Sequence, residues 1–366
     1  MQVFFTSPWV PAEWIKAHGL EPCGVWSARE FAFDSLPLSA GVCAFANAAV
    51  RLAEEQRESA VIFTTHCDQL RRGFDAVAGA ASAPVFLFNL PATWQTPVAR
   101  QIFDSELERL GGFLVALGGH PPSSQELLQA MTHYGLGRRR LLRAAAGCAG
   151  RRYAEAVARF HWDGSCPPSG DPLFRRQEEA SPGGSVPLAL IGGPLPRSQW
   201  ELLDTIERAG GRVVLNATEA GERSLQPAVL REALRAALAP GARVCSQLEA
   251  EERLDPPEGA ATSAAAESAC KPALRQALTR AYIEGCVDVF QRPNTRLYAW
   301  LKKRLAARRA RGIVLWHYVA CDLWRAEAQP LRQAFGLPVL LLEANDAASG
   351  CLRNVGRIEA FLEALR

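Results

Sequence analysis

The sequence predicts an α/β protein of two similar Rossmann-like lobes, whose parallel sheets face a central cleft, with a helical connector between them. Three observations predict it. Short, near-continuous apolar runs alternate with helical patterns, the halves of the chain repeat one another, and a Pro-, Gly- and Ser-rich stretch separates them. The expected division is an N-terminal lobe over 1–120, a connector and variable loop over 121–185, and a C-terminal lobe over 186–366.

The expected strands are Ala60–Thr64, Val85–Leu90, Pro187–Ile191, Arg212–Leu215, Gly312–Trp316 and Pro338–Leu342. They are rich in β-branched residues or leucine and apolar nearly throughout, as strands covered on both faces should be. The clearest helix is expected over Pro97–Leu117, with Val98, Ile102, Phe103, Leu107, Leu110, Leu114 and Leu117 on one stripe. Thr96 can cap it, Pro97 suits its first turn, and Gly118-Gly119 ends it. Ser123-Ser124-Gln125-Glu126 has the form of a capping box before a second helix. A further helix is expected over Ala44–Gln56.

Two stretches break the pattern. Asp163–Ser185 is rich in Pro, Gly and Ser, and Asp255–Ala269 is dominated by Ala, Pro, Glu and Ser. Both read as loops or linkers. Between them the repeat shows through. One strand leads to Cys67-Asp68 and then to Pro84-Val85; another leads to Cys321-Asp322 and then to Pro338-Val339, with 17 residues from Cys to Pro in both halves. The openings correspond as well: Phe4–Gly19 with Trp14, and Leu190–Gly210 with Trp200. A shared interval implies a duplicated unit.

Composition narrows the function. Hydrophobic residues make up 48% and charged residues 22%, the balance of a globular protein able to bury two cores. The formal net charge is only +3, which gives no general attraction to nucleic acid or an anionic membrane. No run approaches the roughly 20 apolar residues that span a bilayer. The opening Met1-Gln2-Val3-Phe4-Phe5 does not read as a secretory signal. A cytoplasmic location is expected.

Ten cysteines need an account, and in a reducing compartment disulfides are not expected. Any one of them taken alone is best read as a small buried hydrophobe. Position singles out three. In open parallel sheets, reactive groups gather beyond the carboxyl ends of strands, and Cys67 and Cys321 lie there in equivalent places. Cys43 opens the expected helix Ala44–Gln56, where free N–H groups favour a thiolate. Three thiolates can hold an iron–sulfur cluster with one iron left open. Spacing alone fits zinc, or no ligand, equally well, since there is no Cys-x-x-Cys pair.

A resemblance supplies what spacing does not. Pro11-Ala12-Glu13-Trp14, His18-Gly19-Leu20-Glu21-Pro22, Leu36-Pro37 leading to Cys43-Ala44-Phe45-Ala46, Thr64-Thr65-His66-Cys67-Asp68-Gln69-Leu70-Arg71-Arg72 and Asn89-Leu90-Pro91-Ala92-Thr93-Trp94-Gln95 come first. Gly192-Gly193-Pro194-Leu195, Gly221-Glu222-Arg223-Ser224, Gln291-Arg292-Pro293-Asn294, Cys321-Asp322-Leu323-Trp324 and Arg357-Ile358-Glu359-Ala360-Phe361-Leu362-Glu363 follow in order. Together they resemble the 2-hydroxyacyl-CoA dehydratase and benzoyl-CoA reductase family, in its small D-component-like subunits. The resemblance implies a 4Fe–4S cluster on Cys43, Cys67 and Cys321. It also implies a related sister subunit and a separate ATP-hydrolysing, cluster-bearing activator that delivers one low-potential electron. The substrate class it implies is an acyl-CoA thioester, reduced by one electron to a ketyl radical, with loss of a 2-hydroxyl group in dehydratases or net reduction in reductases.

One branch of that family carries a double-cubane cluster and reduces small molecules. It needs about six ligands, and Cys286 and Cys351 are the better spares, since Cys148, Cys166 and Cys270 fall in or beside variable stretches. Cys23 and Cys245 are left unassigned. A non-catalytic partner of a sister subunit is the remaining alternative.

His66, beside Cys67, is a candidate proton donor, although a loop histidine satisfied by backbone is the simpler expectation; His317 reads the same way. Asp68 and Asp322 are expected to cap the helices that begin there. Arg138-Arg139-Arg140 and Lys302-Lys303-Arg304 with Arg308-Arg309 read as solvated helix faces. Trp94, Trp316 and Trp324 read as packing groups. No Walker A loop, Gly-x-Gly-x-x-Gly, His-Glu-x-x-His or Gly-x-Ser-x-Gly occurs, so ATP hydrolysis, nicotinamide binding and serine chemistry are not expected.

Overall fold

A computed structural model of the chain describes residues 1–28, 42–145, 150–168, 170–171, 184–232, 264–344 and 347–366, without the side chains of 264–270 and 347–353. Leu36-Pro37, Cys148 and Cys245 lie outside the described residues, and the side chains of Cys270 and Cys351 are not described.

Eight strands form two four-stranded sheets, parallel throughout. The first contains β1 (Gln2–Phe5), β2 (Glu21–Gly24), β3 (Ser59–Thr64) and β4 (Val85–Phe88) in the order β2-β1-β3-β4. The second contains β5 (Val186–Gly192), β6 (Gly211–Thr218), β7 (Gly312–Tyr318) and β8 (Val339–Ala344) in the order β6-β5-β7-β8. The two orders are the same. The α/β reading with two similar lobes therefore holds, and the internal repeat is a repeat of topology.

The second sheet shows why its strands read as unbroken apolar runs. Val186, Leu188 and Leu190 of β5 enter the large core shared with the first lobe, while Ala189 and Ile191 enter a second core on the opposite face. Val314, Trp316 and Tyr318 of β7 alternate in the same way with Ile313 and Leu315. Successive strand residues point to opposite faces, so a strand covered on both sides has no polar position to spare. β2 escaped the pattern because Glu21-Pro22-Cys23-Gly24 contains no apolar run.

Helix α1 (Ala12–Ala17) follows β1, α2 (Ala44–Glu55) precedes β3, and α3 (Asp68–Val77) follows it. Then come α4 (Pro97–Ala116), α5 (Ser124–Ala144) and α6 (Arg151–Asp163). In the second half, α7 (Glu201–Arg208) joins β5 to β6, and α8 (Ala264–Gly285) and α9 (Thr295–Ala307) lead to β7. The single turn α10 (Asp322–Arg325), α11 (Ala328–Phe335) and α12 (Ala347–Leu365) complete the chain.

The caps of α4 and α5 form as the sequence predicts. The Thr96 hydroxyl accepts from Ala99 N, and Ser123 and Glu126 make a reciprocal capping box. The stripe of α4 differs from expectation. Ala99, Phe103, Leu107, Leu110 and Leu114 are buried, whereas Val98 and Ile102 are exposed. Each of these two sits one position, or about 100°, off the buried row at this end of the helix. The Asp255–Ala269 linker reading also needs correction, because α8 begins at Ala264.

Helix α8 belongs to the second half of the sequence yet packs on α4 and α5. Arg275 bridges from it to Asp104 at 2.8 Å, and Tyr282 stacks on Phe103 with centroids 6.1 Å apart. Between α1, α5 and α8 lies a buried polar triangle. Arg138 donates to the Glu13 carboxylate and, at 2.9 Å, to the Tyr282 hydroxyl, which donates to Glu13 at 2.8 Å.

The basic runs are accordingly not simple solvated faces. Arg138 is buried in that triangle, and Arg304 and Arg308 turn inward toward Glu222, at 3.9 and 3.7 Å. Glu222 is wholly buried, and among the described residues neither of its carboxylate oxygens has a hydrogen-bond partner. Burial raises its pKa to about 7 against the opposing pull of Arg308 and Arg304. The folded chain therefore holds a proton that the unfolded chain releases, and stability falls as pH rises from about 4.5 to about 7. Glu222→Gln removes that dependence. Its advantage over the wild type should grow across this window by on the order of 3 kcal/mol, read from urea unfolding at a series of pH values.

Candidate functional site

In each sheet the strand order reverses beside the first strand, between β1 and β3 and between β5 and β7. Crevices at such switch points, beyond the carboxyl ends of the strands, are where open α/β sheets bind ligands. Cys67 follows β3 and Cys321 follows β7. Both line a single pocket enclosing about 510 Å³, partly open to solvent, and Cys43 lines it too. Residues 24 and 254 positions apart from Cys67 are thus brought beside it by the two lobes.

Each of the three cysteines occupies an N-cap: Cys43 of α2, Cys67 of α3 and Cys321 of α10. This corrects the expectation for Asp68 and Asp322, which are the first helical residues rather than caps. Asp68 instead pairs with Arg72 one turn on, at 2.8 Å. The Cys43 sulfur accepts from Ala46 N at 3.5 Å, and the Cys43 backbone N–H donates to Gln69 Oε1 at 2.9 Å. The two full helices, α2 and α3, direct their free N–H groups and positive dipole ends at the sulfurs.

Burial nevertheless dominates. It pushes the Cys321 thiol up to about 12, against a backbone N–H from Trp324. It raises Cys43 as well, opposed by backbone N–H groups of Ala46 and Phe45. Cys67 is raised by burial first and then by the neighbouring Cys43 and Cys321 sulfurs. Without a cation between them, these groups remain thiols. Among the described residues no three His, Cys, Asp or Glu side chains converge closely enough to ligate a single metal ion. The three cysteines share the lining of one pocket.

His66 lines the same pocket, but backbone does not satisfy it. Nδ1 is 2.8 Å from the Thr64 hydroxyl, and Nε2 is 3.2 Å from Glu219 Oε1 in the other lobe. The Ser7 hydroxyl donates to the same Glu219 oxygen at 3.0 Å. Burial lowers the His66 pKa most, but the Glu219 charge, the Glu219 hydrogen bond and the Asp288 charge together outweigh it, and the imidazole stands above its ordinary value. Burial likewise raises Glu219, and the His66 charge, with Arg223 and Ser7, brings it below the usual carboxylate range. The pair is a His–Glu bridge between the lobes, with each partner shifted toward its charged form. His317, by contrast, lies within β7 with Nδ1 2.9 Å from Tyr318 O, away from the pocket lining.

Glu219, Asp288 and Gln69 line the pocket and were not singled out from sequence. Gln69 lay in plain view, two residues after Cys67. Asp288 is held by Arg223, which also donates to Val287 O at 3.1 Å and to Gly192 O at 2.7 Å and stacks over Trp324 at 4.5 Å. Gly192 has φ +147, and a Cβ there would fall 1.8 Å from Trp316 O, so only glycine fits. Trp324 forms part of the pocket wall. Trp94 and Trp316 are packing groups that donate to Pro293 O and Pro194 O.

The other described cysteines stand apart from the pocket lining. Cys286 is buried in the core, Cys23 donates to Trp162 O at 3.2 Å, and Cys166 packs at the core edge. Among the described residues no fourth cysteine joins the three. The Arg223 geometry carries a measurable consequence. Arg223→Met strands the buried Asp288 carboxylate and should lower the unfolding free energy by about 3–5 kcal/mol in urea denaturation.

Among curated proteins none matches the chain significantly. A protein family does match it, over residues 9–255 and 258–365, nearly the whole length. Its description, 2-hydroxyglutaryl-CoA dehydratase, D-component, agrees with the motifs that gather at this pocket. The chain belongs to the 2-hydroxyglutaryl-CoA dehydratase D-component family.

Proposed function

We propose that this chain is the cluster-bearing D component of a 2-hydroxyacyl-CoA dehydratase, holding a 4Fe–4S cluster on Cys43, Cys67 and Cys321. The observation that carries the proposal is the meeting of three cysteines, from both lobes, in one pocket at the ends of β3 and β7. The donor set fits the group. Cys43, Cys67 and Cys321 would hold such a cluster through three thiolates, leaving one iron without a protein ligand from this set. The raised thiol pKa values fit as well, because iron supplies the positive charge that the buried sulfurs lack.

When bound, such a cluster supplies one-electron reduction of an acyl-CoA thioester. The protein's own part is to bind, orient and exclude water. Phe45, Leu70, Val289, Leu323 and Trp324 make the pocket wall predominantly apolar. His66, with Nε2 on Glu219, is our candidate for holding a proton at the pocket. A D component is by its name one part of a larger enzyme, and we infer a sister subunit and an ATP-hydrolysing activator as partners. No described helix is long and apolar enough to cross a membrane.

Anaerobic purification with iron, sulfide and EPR measurement tests the reading. About four irons and four sulfides per chain are expected, with loss of the signal in Cys67→Ser. A colourless protein that cannot be reconstituted with iron and sulfide would sink it.

A further inference from the structure

We propose that Gln69 is a positioning residue for the cluster, its amide oxygen holding Cys43 in register with Cys67. The inference rests on the cluster reading above and extends it to a residue outside the ligand set.

A helix N-cap fixes its side chain only as well as its own backbone is fixed, and the first N–H groups of a helix have no partner within it. At Cys43 the backbone N–H does find a partner, and it comes from another helix: Gln69 Oε1 at 2.9 Å. Gln69 is the second residue of α3, the helix that Cys67 caps. One buried amide therefore ties the backbone of one proposed ligand to the helix that carries another. The tie lies at the pocket itself, since Gln69 lines it.

The two helices are built to sit at this distance. One turn along α3 from Gln69, a Cβ on Gly73 would lie 3.3 Å from Val50 of α2, so glycine lets α3 approach α2 closely. The sulfur of Cys43 points where Ala46 N holds it, and that hydrogen bond keeps its direction only while the start of α2 stays in place. Asp68 and Arg72, on the same helix, pair with each other at the surface and touch neither cysteine's backbone through a side chain.

The test uses the full chain reconstituted anaerobically with iron and sulfide. Release of iron to bathophenanthroline is timed, and the EPR spectrum of the reduced protein is recorded. Gln69→Met keeps the length and loses the acceptor; it should release iron roughly tenfold to a hundredfold faster and shift the EPR g-values. Arg72→Gln, on the exposed face of the same helix, should match the wild type throughout. If Gln69→Met does not fold, Gln69→Asn, whose amide falls one methylene short, is read in the same way. Methionine or asparagine variants with wild-type release and an unchanged spectrum overturn the role of Gln69 while leaving the cluster reading intact. A wild-type chain that takes up no iron overturns both.

Discussion

Three sulfur atoms sharing one buried pocket cannot carry charge unless something positive lies among them, and the surrounding structure is organised around that constraint. Helix starts at α2 and α3 supply part of the positive potential. Burial outweighs it, as the raised thiols show. A group that brings its own cationic charge, as proposed above, would offset that cost. The remaining ionised groups at its rim are already compensated. Glu219 is paired with His66, and Asp288 with Arg223.

The first of those pairs also ties the two lobes together. Ser7 and His66 come from the first lobe, with Thr64 against the His66 ring, and Glu219 meets them from the end of β6. On another side, Arg292 N donates to Ala92 O at 2.9 Å and Trp94 donates to Pro293 O at 2.9 Å. Two motifs more than 190 positions apart in sequence therefore lie against each other. The position of Cys321 relative to Cys43 and Cys67 is set by these inter-lobe contacts, not by either sheet alone.

Local chemistry made much of this legible in the sequence. The strands β3 through β8 announce themselves because both faces are covered, and the caps at Thr96 and Ser123 follow from three-residue patterns. Cys67 and Cys321 could be paired because equal intervals in a duplicated unit imply equal places in two sheets. What stayed hidden depended on contacts between distant segments. Nothing local to Glu219 announces that it will meet His66, and Arg223 finds Asp288 only after residues 65 positions apart have folded together. Val98 and Ile102 misled because a stripe drawn too wide absorbs neighbours one step off the buried row. Asp68 and Asp322 misled for a subtler reason. Aspartate is a common cap, but here the cysteine before it takes the cap position, where the first backbone N–H groups of the helix act on its sulfur.

Helix α8 ties the order of synthesis to the order of assembly. All four strands of the first sheet are encoded by residue 88, yet Tyr282, the third corner of the Glu13–Arg138 triangle, is encoded almost two hundred residues later. Until it arrives, a buried carboxylate and guanidinium lack their hydroxyl partner, and the faces of α4 and α5 that receive α8 stand open to solvent. Folding of the N-terminal lobe cannot be completed vectorially. The surface that α8 covers on α4 and α5 therefore closes only after more than three quarters of the chain has been made.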